Sequence, residues 1–413
     1  MNSFTLINNH FGELSSRMQV LREDIFNKQP CIYAQRAQIV TEAYSNNMDK
    51  PLVIRRALML KEILERMEIF IEEHTFLAGN HAPQNRSASV FPEYNMDWII
   101  AELEYFDKRP RDRFYITADT KEELRSIAPF WEHHAIKNSS LPAMPPCAGL
   151  FSSPGSCQDD AGNNVMMDYS RILKKGLKSY WEEAGNMLDN LDMDYRLNTA
   201  QFHFYQAGII VTEALRNFAN RYAGLADHMA FSEKCSRRRE ELLEMSLILR
   251  KVPWEPAANF YEAVQSLWLV HLCLQIESKD HSLSFGHIDQ YLAPFFEKDI
   301  DEGRITDDGA CELLTNLWLK IYAVNNLHSW RYTRLARAPF CQNFTIGGRI
   351  TKSSAAVSVL RFLIIKSLTQ ARLPQPEMTI RLHNEQSVYT GKLLNNTQEF
   401  RYNLRDTFKT AGG

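Results

Sequence analysis

The feature that most constrains this chain is an apolar run that passes directly into a dense polar segment. Residues 266–276 are mostly apolar, and residues 275–291 then bring histidines, carboxylates and serine hydroxyls together around Gly286. A run of this kind is buried in a core, and polar groups that follow it at once are well placed to line a pocket. The pattern therefore predicts a buried scaffold element that delivers side chains into a binding cavity.

Length and composition bound the class of protein. The 413 residues are 45% hydrophobic and 11% aromatic, which suits two or three domains or one large core. Basic and acidic side chains number 47 and 50, so charge favours neither nucleic acid nor an anionic membrane as partner. The sequence shows no signal peptide and no run long enough to span a membrane. Seven scattered cysteines without a C-x-x-C pair are typical of reduced thiols, so we expect a cytoplasmic protein.

Hydrophobic periodicity predicts a helix-rich α/β chain. The predicted helices cover residues 51–71, 168–191, 201–223, 235–249, 256–276 and 355–369. One strand is predicted over 343–348, ending in a glycine turn, and another over 374–382 after two prolines. Residues 141–164 are predicted to form a long irregular connection. The order strand, helix, strand favours an α/β or α+β core over a pure helix bundle.

Segment 275–291 resembles a stretch that borders the substrate cavity of the glycyl radical enzymes, the family of pyruvate formate-lyase and glycerol dehydratase. Further segments carry the resemblance in the same order along the chain. They include Val53-Ile-Arg-Arg-Ala, Leu77-Ala-Gly-Asn, Phe91-Pro-Glu-Tyr, Asp168-Tyr, Phe260-Tyr-Glu-Ala-Val-Gln-Ser-Leu-Trp, Gln342-Asn-Phe-Thr-Ile-Gly-Gly and Arg372-Leu-Pro-Gln-Pro. The chain is therefore identified as a member of this family, closer to its dehydratase-like branch than to pyruvate formate-lyase proper.

The resemblance implies a fold and a radical chemistry. The fold is a set of helices around a ten-stranded barrel made of two five-stranded halves. Residues 1–383 would supply the first half, and 384–413 would be a divergent polar tail. In the family, a radical-SAM activase makes a glycyl radical, which oxidises a cysteine to a thiyl radical inside the barrel. The thiyl radical takes a hydrogen atom from a small substrate, hydroxylated in the dehydratase-like branch, and the barrel keeps water and oxygen away.

The resemblance also implies which residues meet the substrate. His281 and Ser282 match a pair that hydrogen-bonds substrate hydroxyls, and a histidine can donate or accept near neutral pH. Asn164 stands where the diol-eliminating members have a histidine facing the leaving hydroxyl. An amide can hydrogen-bond but cannot transfer a proton, which argues against assisted loss of water. Two further departures from the family are Asp280 in place of glycine and His287 in place of arginine.

Two motifs of the family have no match in these 413 residues. No cysteine follows Cys341, so the Gly-Cys-Val-Glu loop of the thiyl radical has no counterpart. The Arg-Val-x-Gly-Tyr loop of the glycyl radical is absent too. We therefore predict no catalytic residue of the radical pair here, no bound cofactor and no turnover by the chain alone. This pattern is typical of a truncated N-terminal half.

Two other hypotheses stay open from the sequence. The first is a non-catalytic fragment, or a binding partner of a full-length relative or of its activase; open edges of a half-barrel would favour a homo-oligomer. The second is a metal-dependent hydrolase using His281, His287 and Asp289, which are suitable ligands for Zn²⁺ or Fe²⁺ at a spacing of no established motif. Asp289 is otherwise predicted to anchor a helix start, and His271 and Cys273 to lie in the core.

Overall fold

The computed structural model describes residues 12–94, 96–135, 164–192, 198–278, 282–335, 341–348 and 355–381. The helices are α1 Ser16–Asn27, α2 Gln35–Asn46, α3 Leu52–Arg66, α4 Asp97–Glu102, α5 Ala118–His134, α6 Tyr169–Lys175, α7 Lys178–Asp189, α8 Asn198–Ser232, α9 Ser236–Lys251, α10 Phe260–Glu277, α11 Ile288–Asp301, α12 Asp307–Ala323, α13 Trp330–Leu335 and α14 Ala355–Ala371. The strands are β1 Ile32–Tyr33, β2 Ala88–Ser89, β3 Asn164–Met166, β4 Ser282–His287, β5 Asn325–Asn326, β6 Cys341–Gly347 and β7 Glu377–Arg381. The prediction of a helix-rich α/β chain is confirmed.

Two parallel sheets organise the described residues. The larger has the order β3-β4-β6-β7, and the smaller has the order β1-β2-β5. Parallel neighbours need long crossovers, and helices fill them here, with α14 linking β6 to β7. Helices α11 and α12 both pack against α14, and α11 also packs against β4 and β6 of the larger sheet. The two sheets therefore bring strands that are far apart in the sequence side by side.

Helix α10 is the buried scaffold that the sequence predicts. Asn259 caps its start by accepting a hydrogen bond from the Glu262 N–H. The helix is buried on nearly every side, because it packs against α3, α6, α8, α9, α11 and α12. A helix that is apolar all round belongs inside a core. Its few polar side chains, which include His271 and Gln275, are therefore held in surroundings without bulk water.

One predicted helix is wrong as a single element. The predicted helix 168–191 is broken into α6 and α7 at Gly176, whose φ is +72°. A Cβ at this position would lie 2.3 Å from the Trp254 carbonyl oxygen. Glycine alone tolerates both the left-handed backbone and the close approach. The amphipathic stripe continues through the break, so periodicity could not reveal it.

Other predictions hold with shifted ends. The strand over 374–382 is confirmed as β7, which begins after Pro376 because proline has no N–H for a ladder. The helix over 201–223 is confirmed within the longer α8. The predicted connection 141–164 and the tail 384–413 lie outside the described residues, except that Asn164 opens β3. In the part of the chain that the structure describes, no helix is long and apolar enough to cross a membrane.

Candidate functional site

Two of the three residues predicted to meet substrate, Asn164 and Ser282, lie at the starts of neighbouring strands. The β3–β4 register pairs Asn164 with Ser282, and the β4–β6 register pairs Ser282 with Cys341. Each of these residues is the first of its strand. The backbone thus forms a row, Asn164–Ser282–Cys341, across three strands, which we call the strand-start row. His281 lies outside the described residues, as do the side chains of the three residues in the row.

Arg36 holds the end of α10, from which the chain leads toward Ser282. Its Nε donates to the Ile276 carbonyl at 2.9 Å, and Nη2 donates to the Glu277 carbonyl at 3.2 Å. Nη1 donates to the Val90 carbonyl at 3.2 Å. The last carbonyls of a helix lack partners within the helix and attract cations. Arg36 therefore donates hydrogen bonds to the last carbonyls of α10, where the polar segment begins.

The charge of Arg36 is balanced inside the core. Glu93 accepts from Nη1 at 3.1 Å and from Nη2 at 2.6 Å, and both side chains are at most 4% exposed. The guanidinium carbon also lies over the Phe91 ring, 3.6 Å from its centroid. All five N–H donors of Arg36 thus have acceptors. We call Arg36 and Glu93 together the charged clamp.

A second ion pair flanks the charged clamp nearer to solvent. Arg56 on α3 pairs with the Glu277 carboxylate, and the two side chains are 39% and 24% exposed. Glu277 is the last residue of α10. Arg56 binds its carboxylate, and Arg36 binds its carbonyl. Removing one partner of a partly exposed pair costs little because water screens the remaining charge, whereas a buried pair that loses one partner leaves an uncompensated charge. The end of α10 is therefore fixed mainly by the charged clamp.

A neutral hydrogen-bond chain crosses the middle of α10. The Tyr169 hydroxyl lies 2.9 Å from His271 Nδ1, and His271 Nε2 lies 2.6 Å from Gln342 Oε1. Gln342 Nε2 donates to the Ile321 carbonyl at 3.1 Å. Burial lowers the pKa of His271 to about 4, against a smaller opposing effect of the Gln342 hydrogen bond. We call Tyr169, His271 and Gln342 the neutral chain.

The buried cysteine close to His271 is not activated. Cys273, two residues after His271, is fully enclosed, and burial raises the pKa of its thiol far above the ordinary value. A reactive cysteine needs a stabilised thiolate. The sequence prediction that His271 and Cys273 lie in the core is confirmed. Cys273 therefore serves packing rather than nucleophilic chemistry.

Asp289 has the anchoring position predicted for it. It lies in the first turn of α11 and is fully buried. Its Oδ2 accepts from the Gly347 N–H at 3.0 Å and from Arg361 Nε at 2.5 Å. These bonds tie the start of α11 to the end of β6 and to α14. Because Asp289 Oδ2 already accepts two hydrogen bonds, one of them from a charged donor, we assign it a structural role.

The metal hypothesis gains no support from the described residues. Within those ranges, no group of three or more histidine, cysteine, aspartate or glutamate side chains is placed to hold a metal ion. Of its three proposed ligands, Asp289 is paired with Arg361, and His281 lies outside the described residues. His287 ends β4, and its imidazole is not grouped with other ligands there.

Comparison with known proteins decides the family. The profile of the pyruvate formate lyase-like family matches residues 10–390. This chain belongs to that family. It is 31% identical over 366 residues to the probable dehydratase YbiW of Escherichia coli, covering 86% of this chain and 45% of that protein. It is 30% identical over 418 residues to the isethionate sulfite-lyase of Nitratidesulfovibrio vulgaris, covering 96% and 49%.

Solved structures of glycyl radical enzymes share the fold. The glycerol-bound B12-independent glycerol dehydratase from Clostridium butyricum superposes with a TM-score of 0.84 at 29% identity, covering 91% of this chain and 48% of that one. A glycyl radical enzyme from Archaeoglobus fulgidus gives 0.85 at 30% identity, covering 92% and 50%. This pyruvate formate lyase-like chain thus spans about half the length of the relatives it matches.

Sequence reasoning about this pyruvate formate lyase-like chain missed the residues that hold the site in place. Glu93, Tyr169 and Gln342 all fall inside segments that carry the family resemblance, yet nothing in the sequence pairs them with Arg36 or His271. The Arg36–Glu93 pair spans 57 positions and the His271–Gln342 pair spans 71. The sequence signal for such residues was a polar side chain within an apolar stretch, because buried polar groups in folded proteins are hydrogen-bonded. Their partners required the tertiary structure.

Proposed function

We propose that these residues form the N-terminal half of a dehydratase-like glycyl radical lyase acting on a small hydroxylated substrate. The observation that carries the proposal is the strand-start row, which makes Asn164 and Ser282 backbone neighbours although 118 positions separate them. Two segments that the family resemblance assigns to one substrate are joined by the fold, which supports the proposal. Family membership supports the class of reaction, and the strand-start row supports the proposed location of the substrate.

The proposed roles follow the chemistry of each side chain. His281 and Ser282 bind substrate hydroxyls, since imidazole and hydroxyl groups both donate and accept hydrogen bonds. Asn164 hydrogen-bonds the leaving group without transferring a proton. The row lies at the amino ends of parallel strands, whereas ligands of open parallel sheets bind at the carboxyl ends. A cavity closed by a second set of strands would suit this placement.

The proposed architecture is a half-barrel completed by a second half. Residues 1–383 would form the first half of a ten-stranded barrel, with 384–413 as a separate tail. The second half would carry the cysteine and glycine of the radical pair, and a radical-SAM activase would form the radical. The exposed edges of the half-barrel would also permit self-association. By itself the 413-residue chain would bind but not turn over substrate.

A second leaving group has specific support. Loss of hydroxide from a substrate needs a proton donor, which Asn164 is not, whereas sulfite departs as a stable anion. Among the similar proteins are isethionate sulfite-lyases as well as dehydratases. Elimination of sulfite from a hydroxylated sulfonate is therefore the second candidate reaction. It uses the same hydroxyl-binding pair, His281 and Ser282.

The test is a fusion that restores the second half. Residues 1–381 would be joined to the matching remainder of the Clostridium butyricum glycerol dehydratase and activated anaerobically by a radical-SAM activase with S-adenosylmethionine. Glycerol, 1,2-propanediol and isethionate would be offered, with aldehyde and sulfite as the products measured. We expect a glycyl radical signal in electron paramagnetic resonance and elimination from at least one substrate.

Variants of the fusion assign the roles. His281→Ala and Ser282→Ala should each lower kcat/KM by about 10- to 100-fold while the radical signal stays intact. His133→Ala, at an exposed helix end, is the matched control and should change neither. A full radical signal without elimination from any substrate would contradict the proposed activity and favour a non-catalytic binding role. Stoichiometric zinc or iron in the purified chain would instead revive the hydrolase hypothesis.

A further inference from the structure

The neutral chain has a defined direction. Gln342 Nε2 is committed as a donor to the Ile321 carbonyl, so the Gln342 oxygen faces His271 at 2.6 Å and can only accept. His271 Nε2 must therefore carry the hydrogen. In a neutral imidazole the other nitrogen is then an acceptor, and the Tyr169 hydroxyl donates to Nδ1 at 2.9 Å. The geometry thus selects one tautomer of His271.

The same imidazole contacts β4, β6 and the segment that follows β3. Tyr169 follows the end of β3 by three residues, and Gln342 is the second residue of β6. From β4, the Phe285 ring stacks on the His271 ring with centroids 3.8 Å apart and planes 16° apart. Segments carrying Asn164, Ser282 and Cys341 therefore all contact one fully buried side chain.

We propose that His271, as the Nε2–H tautomer, is a positioning residue that fixes β3, β4 and β6 against one another and so sets the spacing of the strand-start row. The three strands come from segments far apart in sequence, and the imidazole joins them by two directed hydrogen bonds and one ring contact. Its relevance to substrate binding rests on the proposed function. The positioning itself does not.

Two variants each retain one arm of the imidazole. In His271→Gln the side-chain amide reaches the place of Nε2 and can donate to Gln342, and in His271→Asn the amide oxygen reaches the place of Nδ1 and can accept from Tyr169. His271→Leu retains neither arm. If the imidazole positions the strands, each one-armed variant loosens the strand on its lost side more than the strand on its retained side.

Hydrogen exchange on the full 413-residue chain tests this order. We expect amides of β6 to exchange about ten-fold faster than wild type in His271→Asn, and amides following β3 to do so in His271→Gln. Amides of α5, which packs against α2 and α4, serve as the internal control and should be unchanged. Equal acceleration everywhere would show a general packing role and overturn the proposal. Unchanged exchange at all three strands would overturn it too.

Two further measurements keep the outcome clear if a variant folds poorly. Nitrogen-15 histidine spectra of the wild-type chain should show His271 neutral with the hydrogen on Nε2 throughout pH 5.5–8, and an Nδ1–H tautomer would contradict the proposal. In the active fusion, Tyr169→Phe should raise KM about five- to ten-fold with kcat nearly retained. An inactive wild-type fusion would count against the proposed function alone, since the exchange and tautomer results would still decide the role of His271.

Discussion

The charged clamp and the neutral chain hold the same helix by opposite electrostatics. At the end of α10, Arg36 and Glu93 are both ionisable and buried, and they satisfy each other. Midway along α10, His271 is buried with no ionic partner among the described residues, and burial favours its neutral form. A buried ion is costly unless an opposite charge pairs with it, whereas a buried imidazole avoids this cost by losing its proton. The two regions therefore differ in what happens when a partner is removed.

The difference assigns each region a part in building the site. The charged clamp holds the carbonyls of Ile276 and Glu277, where the chain leaves α10 toward Ser282. The neutral chain holds the strands on which the strand-start row lies. The charged clamp thus fixes where the polar segment starts, and the neutral chain fixes the strands with which that segment pairs.

The largest effect is expected from removing the buried carboxylate. Glu93→Ala leaves the Arg36 guanidinium charged and enclosed, and should lower the free energy of unfolding by about 3–5 kcal/mol. The matched control is Glu42→Ala, because Glu42 pairs with Arg66 at an exposed site, with side chains 56% and 44% exposed. That control should cost at most about 1 kcal/mol. Equal losses in urea titrations of the two variants would contradict the charged clamp.

A second prediction concerns acid. Burial lowers the pKa of both His271 and His81 to about 4. A hydrogen bond to Gln342 opposes this effect at His271, and a hydrogen bond to the Gln275 backbone opposes it at His81. Because the folded pKa lies below the ordinary value near 6.5, the unfolded chain binds more protons between about pH 4 and 6.5. This stabilisation is complete above pH 6.5 and is lost as the pH falls toward 4.

The acid effect can be assigned to His271 by comparison. Between pH 7 and pH 5 the wild-type free energy of unfolding should fall more steeply than that of His271→Gln, by about 2 kcal/mol. Urea titrations at both pH values measure the difference. A steeper fall in His271→Gln than in wild type would show that the imidazole is charged in the fold, which contradicts a neutral chain.

The smallest effect is expected from a single hydroxyl. Tyr169→Phe retains the ring, which lies near Phe285 and Tyr291, but leaves His271 Nδ1 without its donor. The loss of stability should be about 1–2 kcal/mol. Tyr115→Phe, at a half-exposed tyrosine, is the control and should change stability by less than about 0.5 kcal/mol. A loss as large as that of Glu93→Ala would erase the distinction between the two regions.

Much of the secondary structure followed from local signals, and the site did not. Periodicity and prolines located α9, α14 and β7, whose patterns are short-range. The division of α6 from α7 depended on Gly176 meeting the distant Trp254 carbonyl, which periodicity cannot detect. The short strands β1, β2 and β5 have too few residues for a period-2 pattern.

For the site, the family resemblance named residues while the structure supplied their support. Ser282 and Asn164 were named from motifs, and their pairing in the sheet required the fold. Arg36 was not singled out at all, because an arginine early in a helix is usually solvated. Its five hydrogen-bond acceptors come from four separate residues brought together only by packing. Long-range polar partners of this kind leave no periodic trace in sequence.

Hydrogen exchange of two variants tests the central claim most directly, which is that the two regions hold different parts of the site. Arg36→Lys removes the fork of donors but retains the charge, and should speed exchange of amides 274–278 about ten-fold while β3, β4 and β6 stay as in wild type. Tyr169→Phe should leave amides 274–278 unchanged and speed exchange in the strands. If both variants accelerate the same amides to the same extent, α10 and the strands open as one unit and the account is wrong.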